Sequence, residues 1–388
     1  MIMLPILAGL VLVFMAADAA YLRCMKRRGM PAGRFRALAA WIVATDLPPL
    51  ISAVSGWVMR DNSTGWMIAL MWIVWVWIAA VLPRMAYYLF ALLRLRIPGL
   101  LLSAALAAVL IAGATAGRTR LSVDRESLCS DRLPEGFDGV RIVQLSDIHL
   151  GTFVHTERQL GRLVDTVAAL HPDLVVFTGD LVNIRCTELD SAAMRQLARL
   201  PAPVFSVTGN HDSGAYIRDT AALPRPQSLE CLLERQRAMG WRVLNDETVY
   251  LHRGGDSISL SGIAYDPGIG RRRHDAELPP ADLERVYRAV PDSLYNLTLV
   301  HLPQLWEQIA AAGYGDLTLA GHVHSMQMKI RIGRWVWSPA SWLYERWSGR
   351  YERGGRTLYI NDGTGCVGYP MRLGARPQIT LLTLKRCE

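Results

Sequence analysis

An aspartate and a histidine two positions apart, Asp147 and His149, stand where an apolar run ends. The run is Val140, Ile142, Val143 and Leu145; beyond it come Gly151 and helical spacing. Apolar strand, polar residues at its carboxyl end, then helix is how an α/β sheet presents a site. Four more polar groups each close another apolar run: Gly179-Asp180, Gly209-Asn210-His211-Asp212, His301, and Gly321-His322-Val323-His324. Together they offer Asp147, His149, Asp180, Asn210, His301, His322 and His324 as ligands. That is more than one metal ion needs, and it suits two divalent ions sharing one carboxylate. Imidazole mixed with carboxylate favours Mn, Fe or Zn over Ca or Mg. Two ions roughly 3.5–4 Å apart generate a bridging hydroxide and clamp the oxygens of an in-line displacement at phosphorus. Glycines beside three of the groups let the backbone turn sharply at a strand end.

The elements that must carry these residues can be read in order. Leu160, Leu163, Val164 and Val167 follow helical spacing, which stops near His171-Pro172. Strands are expected at 174–177 and 203–207, with a helix at about 188–200 between them. A helix over 228–239 and strands over 242–251 and 258–263 follow. The run 297–300 ends at His301, 303–312 is helical, and 317–319 ends before Gly321. The tail reads as strands at 335–337, 357–360 and 379–384. Strands alternate with helices early and dominate late, which predicts a two-sheet α/β sandwich of about 250 residues with strand-end loops meeting on one face.

The first 117 residues are different in kind. Hydrophobic residues make up 51% of the 388-residue chain and mean hydropathy is +0.17, with the apolar excess concentrated there. Four spans of the length a bilayer requires fit: 2–21, 38–58, 66–82 and 98–117. The third can also run on to residue 93 as one kinked helix. The first span lacks the basic start of a secretory signal peptide, so it is read as retained. Arg23, Lys26, Arg27, Arg28, Arg34 and Arg36 crowd the first loop, and Arg84, Arg94 and Arg96 follow the third span. Basic loops stay cytoplasmic, which places the soluble part outside the cytoplasmic membrane. Asp46, beside Pro48-Pro49, is read as a solvated break at the interface in preference to a polar site in the membrane.

The division expected is a transmembrane all-α region at 1–117, a linker or first edge strand at 118–138, and a catalytic domain at 139–388. The formal charge of +8 lies largely near the spans and suits lipid contact; no basic, aromatic-interleaved stripe suggests nucleic acid. Six cysteines without a Cys-x-x-Cys pair neither demand nor exclude a disulfide.

The five motifs, in this order, resemble the calcineurin-like metallophosphoesterase family. Trp337-Ser338-Pro339, Tyr359-Ile360-Asn361 with Gly363 and Gly365, and Gly368-Tyr369-Pro370 to Arg372 are similar to its membrane-anchored bacterial-type branch. The resemblance implies one ion on Asp147, His149 and His324, Asp180 as the bridge, and a second ion on Asn210, His301 and His322. It implies Asn210 and His211 as catalytic, with His211 near the leaving oxygen as proton donor. Two departures matter. Asn183 stands where phosphatase relatives have an Asp pairing with that His. Asn can orient an imidazole but cannot offset its positive charge, which weakens His211 as an acid and favours phosphate binding. Ser325-Met326 replaces two glycines, with Gln327 kept.

Asp212 is read as tying its loop, and His155, His171, His252 and His274 as surface residues. Arg271-Arg272-Arg273 is read as a solvated loop, with substrate phosphate or anionic headgroups as the alternative. Trp335, Trp337, Trp342 and Trp347 divide evenly between core packing and a lipid-facing rim. The expected function is a membrane-anchored, two-metal phosphoesterase acting on a phosphate ester, with a membrane lipid phosphoester as the sharper form. One rival is a UDP-2,3-diacylglucosamine hydrolase with a cytoplasmic domain; another is a non-catalytic sensor or scaffold that keeps the fold.

Overall fold

The computed structural model describes residues 3–59, 62–218, 225–272 and 278–387. It comprises two compact units, Met1–Thr115 with Gly368–Met371, and Ala116–Val367 with Arg372–Glu388.

The first unit holds α1 (Met3–Arg27), α2 (Ala32–Met59), α3 (Thr64–Leu92) and α4 (Arg96–Ala112). Four segments, Leu4–Arg27, Ala32–Gly56, Thr64–Leu92 and Arg96–Gly117, are long and apolar enough to cross a membrane. The third span is the single long helix, continuous through Pro83, and α2 continues through Pro48 and Pro49. In hydrocarbon no water competes for backbone groups, so a helix survives a proline that would end it in water.

The expectation of a solvated break at Asp46 is not met. Asp46 is fully buried, and Asp18 and Arg84 are buried with it. Arg84 Nη2 donates to Asp46 Oδ1 and Oδ2 at 2.9 and 3.0 Å and to Asp18 Oδ2 at 2.7 Å, while Nη1 donates to Thr45 Oγ1 at 2.8 Å. An unpaired charge in this environment is costly, so three helices contribute partners to one cluster. Arg84 is therefore an internal partner, and the topology signal rests on the other basic residues of the loops.

The second unit contains two six-stranded sheets. Numbered along the chain, one runs β1 (Ser122–Ser130), β14 (Gln378–Arg386), β2 (Arg141–Leu145), β3 (Leu174–Phe177), β4 (Val204–Ser206), β5 (Arg242–Val243). The other runs β12 (Gly349–Arg353), β13 (Arg356–Ile360), β9 (Leu317–Ala320), β8 (Asn296–Val300), β7 (Asp256–Ile263), β6 (Glu247–Arg253). Strands β10 (Ile330–Ile332) and β11 (Trp335–Trp337) pair only with each other. Residues 122–130 are thus an edge strand, parallel to the last strand of the chain.

Alternation along each strand sorts side chains into layers. Ile142, Val176 and Leu382 face Leu260, Leu297, Leu299 and Leu319 between the sheets. Val143, Val175 and Phe177 point the other way, onto α5 (Thr156–Ala168), α6 (Ser191–Leu197) and α7 (Arg225–Ala238). The second sheet's outer face packs on α8 (Pro267–Arg271), α9 (Leu283–Tyr287) and α10 (Trp306–Ala311) through Ile269, Val286, Trp306 and Ile309. Each fully buried Leu, Ile or Val contributes about 1.5–3 kcal/mol, so this four-layer packing is what holds the strand ends in place. The expected strand over 242–251 is interrupted: β5 stops at Val243, Asp246 takes φ 56, and β6 starts at Glu247 in the other sheet. The turn lets the chain change sheets.

Candidate metal centre

Strands β2, β3 and β4 are mutually parallel, as are β8 and β9. Their carboxyl ends carry, in turn, Asp147 and His149, Asp180, Asn210 and His211, His301, and His322 and His324. Five of these residues leave the strand in the left-handed region: Asp147 (φ 52), His149 (φ 48), Asp180 (φ 61), His322 (φ 74) and His324 (φ 52). That conformation costs L-residues roughly 1–2 kcal/mol each and is kept where the side chain must be aimed. Gly179 and Gly209 make the turns possible. A Cβ on Gly179 would meet His301 Nδ1 at 2.7 Å, and one on Gly209 would run into the Asp180 carboxylate.

The ligand atoms form two groups that share one residue. Asp147, His149, Asp180 and His324 are one; Asp180, His301 and His322 are the other; within each, the atoms lie within 4.8 Å of one another. His324 Nε2 is 2.8 Å from Asp147 Oδ1 and 3.3 Å from His149 Nε2. Asp180 Oδ2 is 3.2 Å from His301 Nε2 and 3.8 Å from His149 Nε2. Asn210 Oδ1 lies 2.9 Å from both His301 Nε2 and His322 Nδ1, which are 3.3 Å from each other. Ring nitrogens this close repel unless a proton or a cation stands between them. Buried carboxylate, imidazole and amide oxygen converging in this way is a donor set that fits two divalent cations.

Hydrogen bonds fix which atoms face inward. His301 Nδ1–H donates to the Thr178 carbonyl at 2.8 Å, which leaves Nε2 as the ligating atom. The His211 backbone N–H donates to Asp180 Oδ1 at 2.8 Å, leaving Oδ2 toward the two groups. Burial acts against every charge here. It would raise Asp147, but His324 and His301 outweigh it and hold the carboxyl below its usual range. Asp180, opposed by burial in the same way, is held far below by His301 and His211. Burial drives His149 well down. In His301 burial is overcome by Asp180, which pushes the imidazole up to about 9.

His211 Nδ1–H donates to the main-chain carbonyl of Asn183 at 2.5 Å. The Asn183 carbonyl, rather than its side chain, orients the ring. Burial lowers the His211 pKa, against the opposing pull of Asp180 and of the Asn183 carbonyl. Asp212 ties the loops, accepting from the N–H groups of Asp180, Leu181, Val182 and Gly209 at 2.8–3.1 Å. Burial and Asp180 push its carboxyl up, and the N–H groups of Gly209 and Val182 oppose that.

Several supporting residues carried no signal in the sequence. Glu188 accepts from the backbone N–H groups of Gly151, Asn183 and Ile184 and so fixes the Asn183 carbonyl. The Tyr216 ring stacks on His211 at 4.3 Å, and its hydroxyl meets Asn210 Nδ2 at 3.0 Å. Behind Asp147, the tail motif braces the loop. Gly365 N–H donates to the Asp147 carbonyl at 2.8 Å, and buried Arg372 donates to the carbonyls of Gly365, Asp362 and Ala375.

His155, His171 and His252 are exposed, while His274 and Arg273 lie outside the described residues. Arg271 and Arg272 are exposed. Trp335 and Trp342 are exposed and Trp337 and Trp347 half-buried. The cysteines form two disulfides, Cys129–Cys387 and Cys186–Cys231.

The family described as calcineurin-like phosphoesterase matches residues 140–326. The uncharacterized metallophosphoesterase YkuE of Bacillus subtilis is 30% identical over 272 residues, covering 68% of this chain and 86% of that protein. A Danio rerio transmembrane protein with metallophosphoesterase domain is 30% identical over 262 residues, covering 66% of this chain; the chain spans 55% of that relative's length. The UDP-2,3-diacylglucosamine pyrophosphatase LpxG of Chlamydia muridarum is 24% identical over 273 residues, covering 60% of this chain and 81% of LpxG. The chain accordingly belongs to the calcineurin-like metallophosphoesterases, metal-dependent phosphoester hydrolases that work with two divalent ions.

Proposed function

We propose that this chain is a membrane-anchored phosphoesterase whose extracytoplasmic domain hydrolyses a lipid phosphoester. Residues 1–117 are its membrane region. Residues 139–388 are the catalytic domain, to which 118–138 belong through strand β1. The observation that carries the catalytic reading is the pair of ligand groups sharing Asp180.

In this reading Asp147, His149 and His324 hold one ion, Asn210, His301 and His322 the other, and the Asp180 carboxylate serves both. When bound, the two ions would supply Lewis-acid charge at the phosphoryl oxygens and lower the pKa of water enough to furnish hydroxide as the nucleophile at neutral pH. The chain's residues do the rest. Asn183 and Tyr216 fix the His211 ring, leaving Nε2 for the substrate. With Asp180 close by but no carboxylate on Nδ1, His211 hydrogen-bonds the phosphoryl or leaving oxygen more than it delivers a proton. The complete ligand set speaks against a non-catalytic scaffold.

Two independent observations support the extracytoplasmic side. Six basic residues, Arg23, Lys26, Arg27, Arg28, Arg34 and Arg36, crowd the junction of the first two helices. The domain has two disulfides, which persist in oxidising compartments. The relative named as a UDP-2,3-diacylglucosamine pyrophosphatase favours a second reading, a lipid-linked pyrophosphate as substrate. The test is a panel of soluble monoesters, soluble diesters, lipid phosphates and UDP-linked lipid given to the full-length protein with Mn²⁺. Turnover of a lipid ester above its short-chain analogue supports the proposal; preference for soluble esters refutes its lipid part.

A further inference from the structure

The β10–β11 hairpin belongs to neither large sheet, and it is built from residues that water does not favour. Ile330, Ile332 and Trp335 are 43, 68 and 55% exposed, and in the turn that follows Trp342 and Leu343 are 76 and 55% exposed. The two parts touch, since the Trp337 and Trp342 rings meet edge-on at 5.4 Å. Ile332 pairs with Trp335 across a two-residue turn that Gly333 permits with φ 60. Arg334 in that turn and Arg331 just before it are exposed and make no ion pair among the described residues. Bulky apolar side chains, tryptophan and unpaired arginine on one small projection match the chemistry of a bilayer interface with anionic headgroups.

The projection is joined to the metal centre. Ser338, just past the hairpin, donates from Oγ to the Ser325 carbonyl at 2.6 Å, beside His324. Tyr344, beyond the Trp342-Leu343 turn, brings its ring to 6.2 Å from that of His322. Only residues 118–121 separate the last apolar span, ending at Gly117, from β1. The domain is therefore tethered by a short segment to the bilayer that the apolar spans are fit to cross.

We infer that the β10–β11 hairpin with Trp342 and Leu343 is an interfacial rim that seats on an anionic phospholipid surface and passes amphiphilic phosphoesters to the metal centre. The delivery role rests on the proposed function; the membrane contact does not.

The test uses full-length protein in nanodiscs of phosphatidylcholine with or without phosphatidylglycerol. An environment-sensitive dye is placed by Ile332→Cys, or by Tyr250→Cys as an exposed control on β6, in a Cys24→Ser background. Lipid-borne nitroxides are expected to quench the dye at 332 and not at 250, more strongly with phosphatidylglycerol, and Arg331→Glu with Arg334→Glu should remove that preference. A dye at 332 quenched no more than one at 250 overturns the rim, whether the hairpin lies in water or against protein. For delivery, Ile332→Asp with Trp335→Asp should lower turnover of a bilayer-embedded phosphoester about tenfold and leave a soluble aryl phosphoester unchanged. Equal loss on both substrates, or on neither, overturns delivery. Quenching at 332 without metal-dependent hydrolysis of any ester refutes the phosphoesterase reading and leaves the membrane contact standing.

Discussion

His211 is aimed by a main-chain carbonyl, so the side chain of Asn183 is not what positions it. The carbonyl is fixed by Glu188, whose carboxylate takes three backbone N–H groups. Asn183→Ala should therefore leave turnover within about threefold, whereas Glu188→Ala should lower kcat on the order of 10- to 100-fold with little change in KM, because a small misplacement of a catalytic group is that costly. Steady-state kinetics on both variants decides it; equal effects would disprove the carbonyl's role. His301 makes a second prediction. Its folded pKa, raised to about 9 by Asp180 against burial, lies above the ordinary 6.5. In the metal-free protein this stabilisation is complete below pH 6.5 and is lost as pH rises through 9. A cation can take Nε2 only when the proton leaves, so metal binding at pH 7.5 should release about one proton from this group. Calorimetry in buffers of different ionisation enthalpy measures it; buffer-independent heats would contradict the His301–Asp180 pairing.

At the scale of elements, the two sheets hold the ligand loops by packing. Leu299, wholly buried between them on β8, stands two residues before His301. Leu299→Ala should cost about 2–5 kcal/mol in urea unfolding; a cost under about 0.5 kcal/mol would mean that this layer does not carry the load. The sequence made the site-bearing strands legible, because β2, β3, β8 and β9 are buried on both faces and read as short, mostly apolar runs ending at a polar residue, unbroken in β3 and interrupted by Gln144, Thr298 and Thr318 in the others. Other features were hidden because their partners are distant in the chain. β1 pairs in parallel with β14, Ser122 opposite Gln378, and nothing local announces that. The pairing of Cys129 with Cys387 is hidden for the same reason. Arg84 reads as a loop charge until Asp18 and Asp46 are brought to it by two other helices. Glu188 and Tyr216 act through a backbone amide and a ring stack, which leave no spacing pattern.

At the scale of the whole molecule, the proposed extracytoplasmic orientation rests on the basic charge between the first two spans and on the disulfides. An alkaline phosphatase reporter fused after Glu388 should be active, since that enzyme needs the oxidising side; an inactive fusion with an active cytoplasmic-type reporter would reverse the topology and favour the cytoplasmic rival. In the proposed reading, the carboxylate of Asp180, common to both ligand groups, is what lets two cations act together on a phosphoester. The decisive measurement is metal content and hydrolysis of bis(p-nitrophenyl) phosphate by the purified full-length chain and by Asp180→Asn, with circular dichroism to establish that both are folded. The wild-type chain should hold two ions, and Asp180→Asn should hold fewer and lose roughly 100-fold or more of turnover. Asp180→Asn that turns over like wild type at equal metal loading would contradict the shared-carboxylate centre.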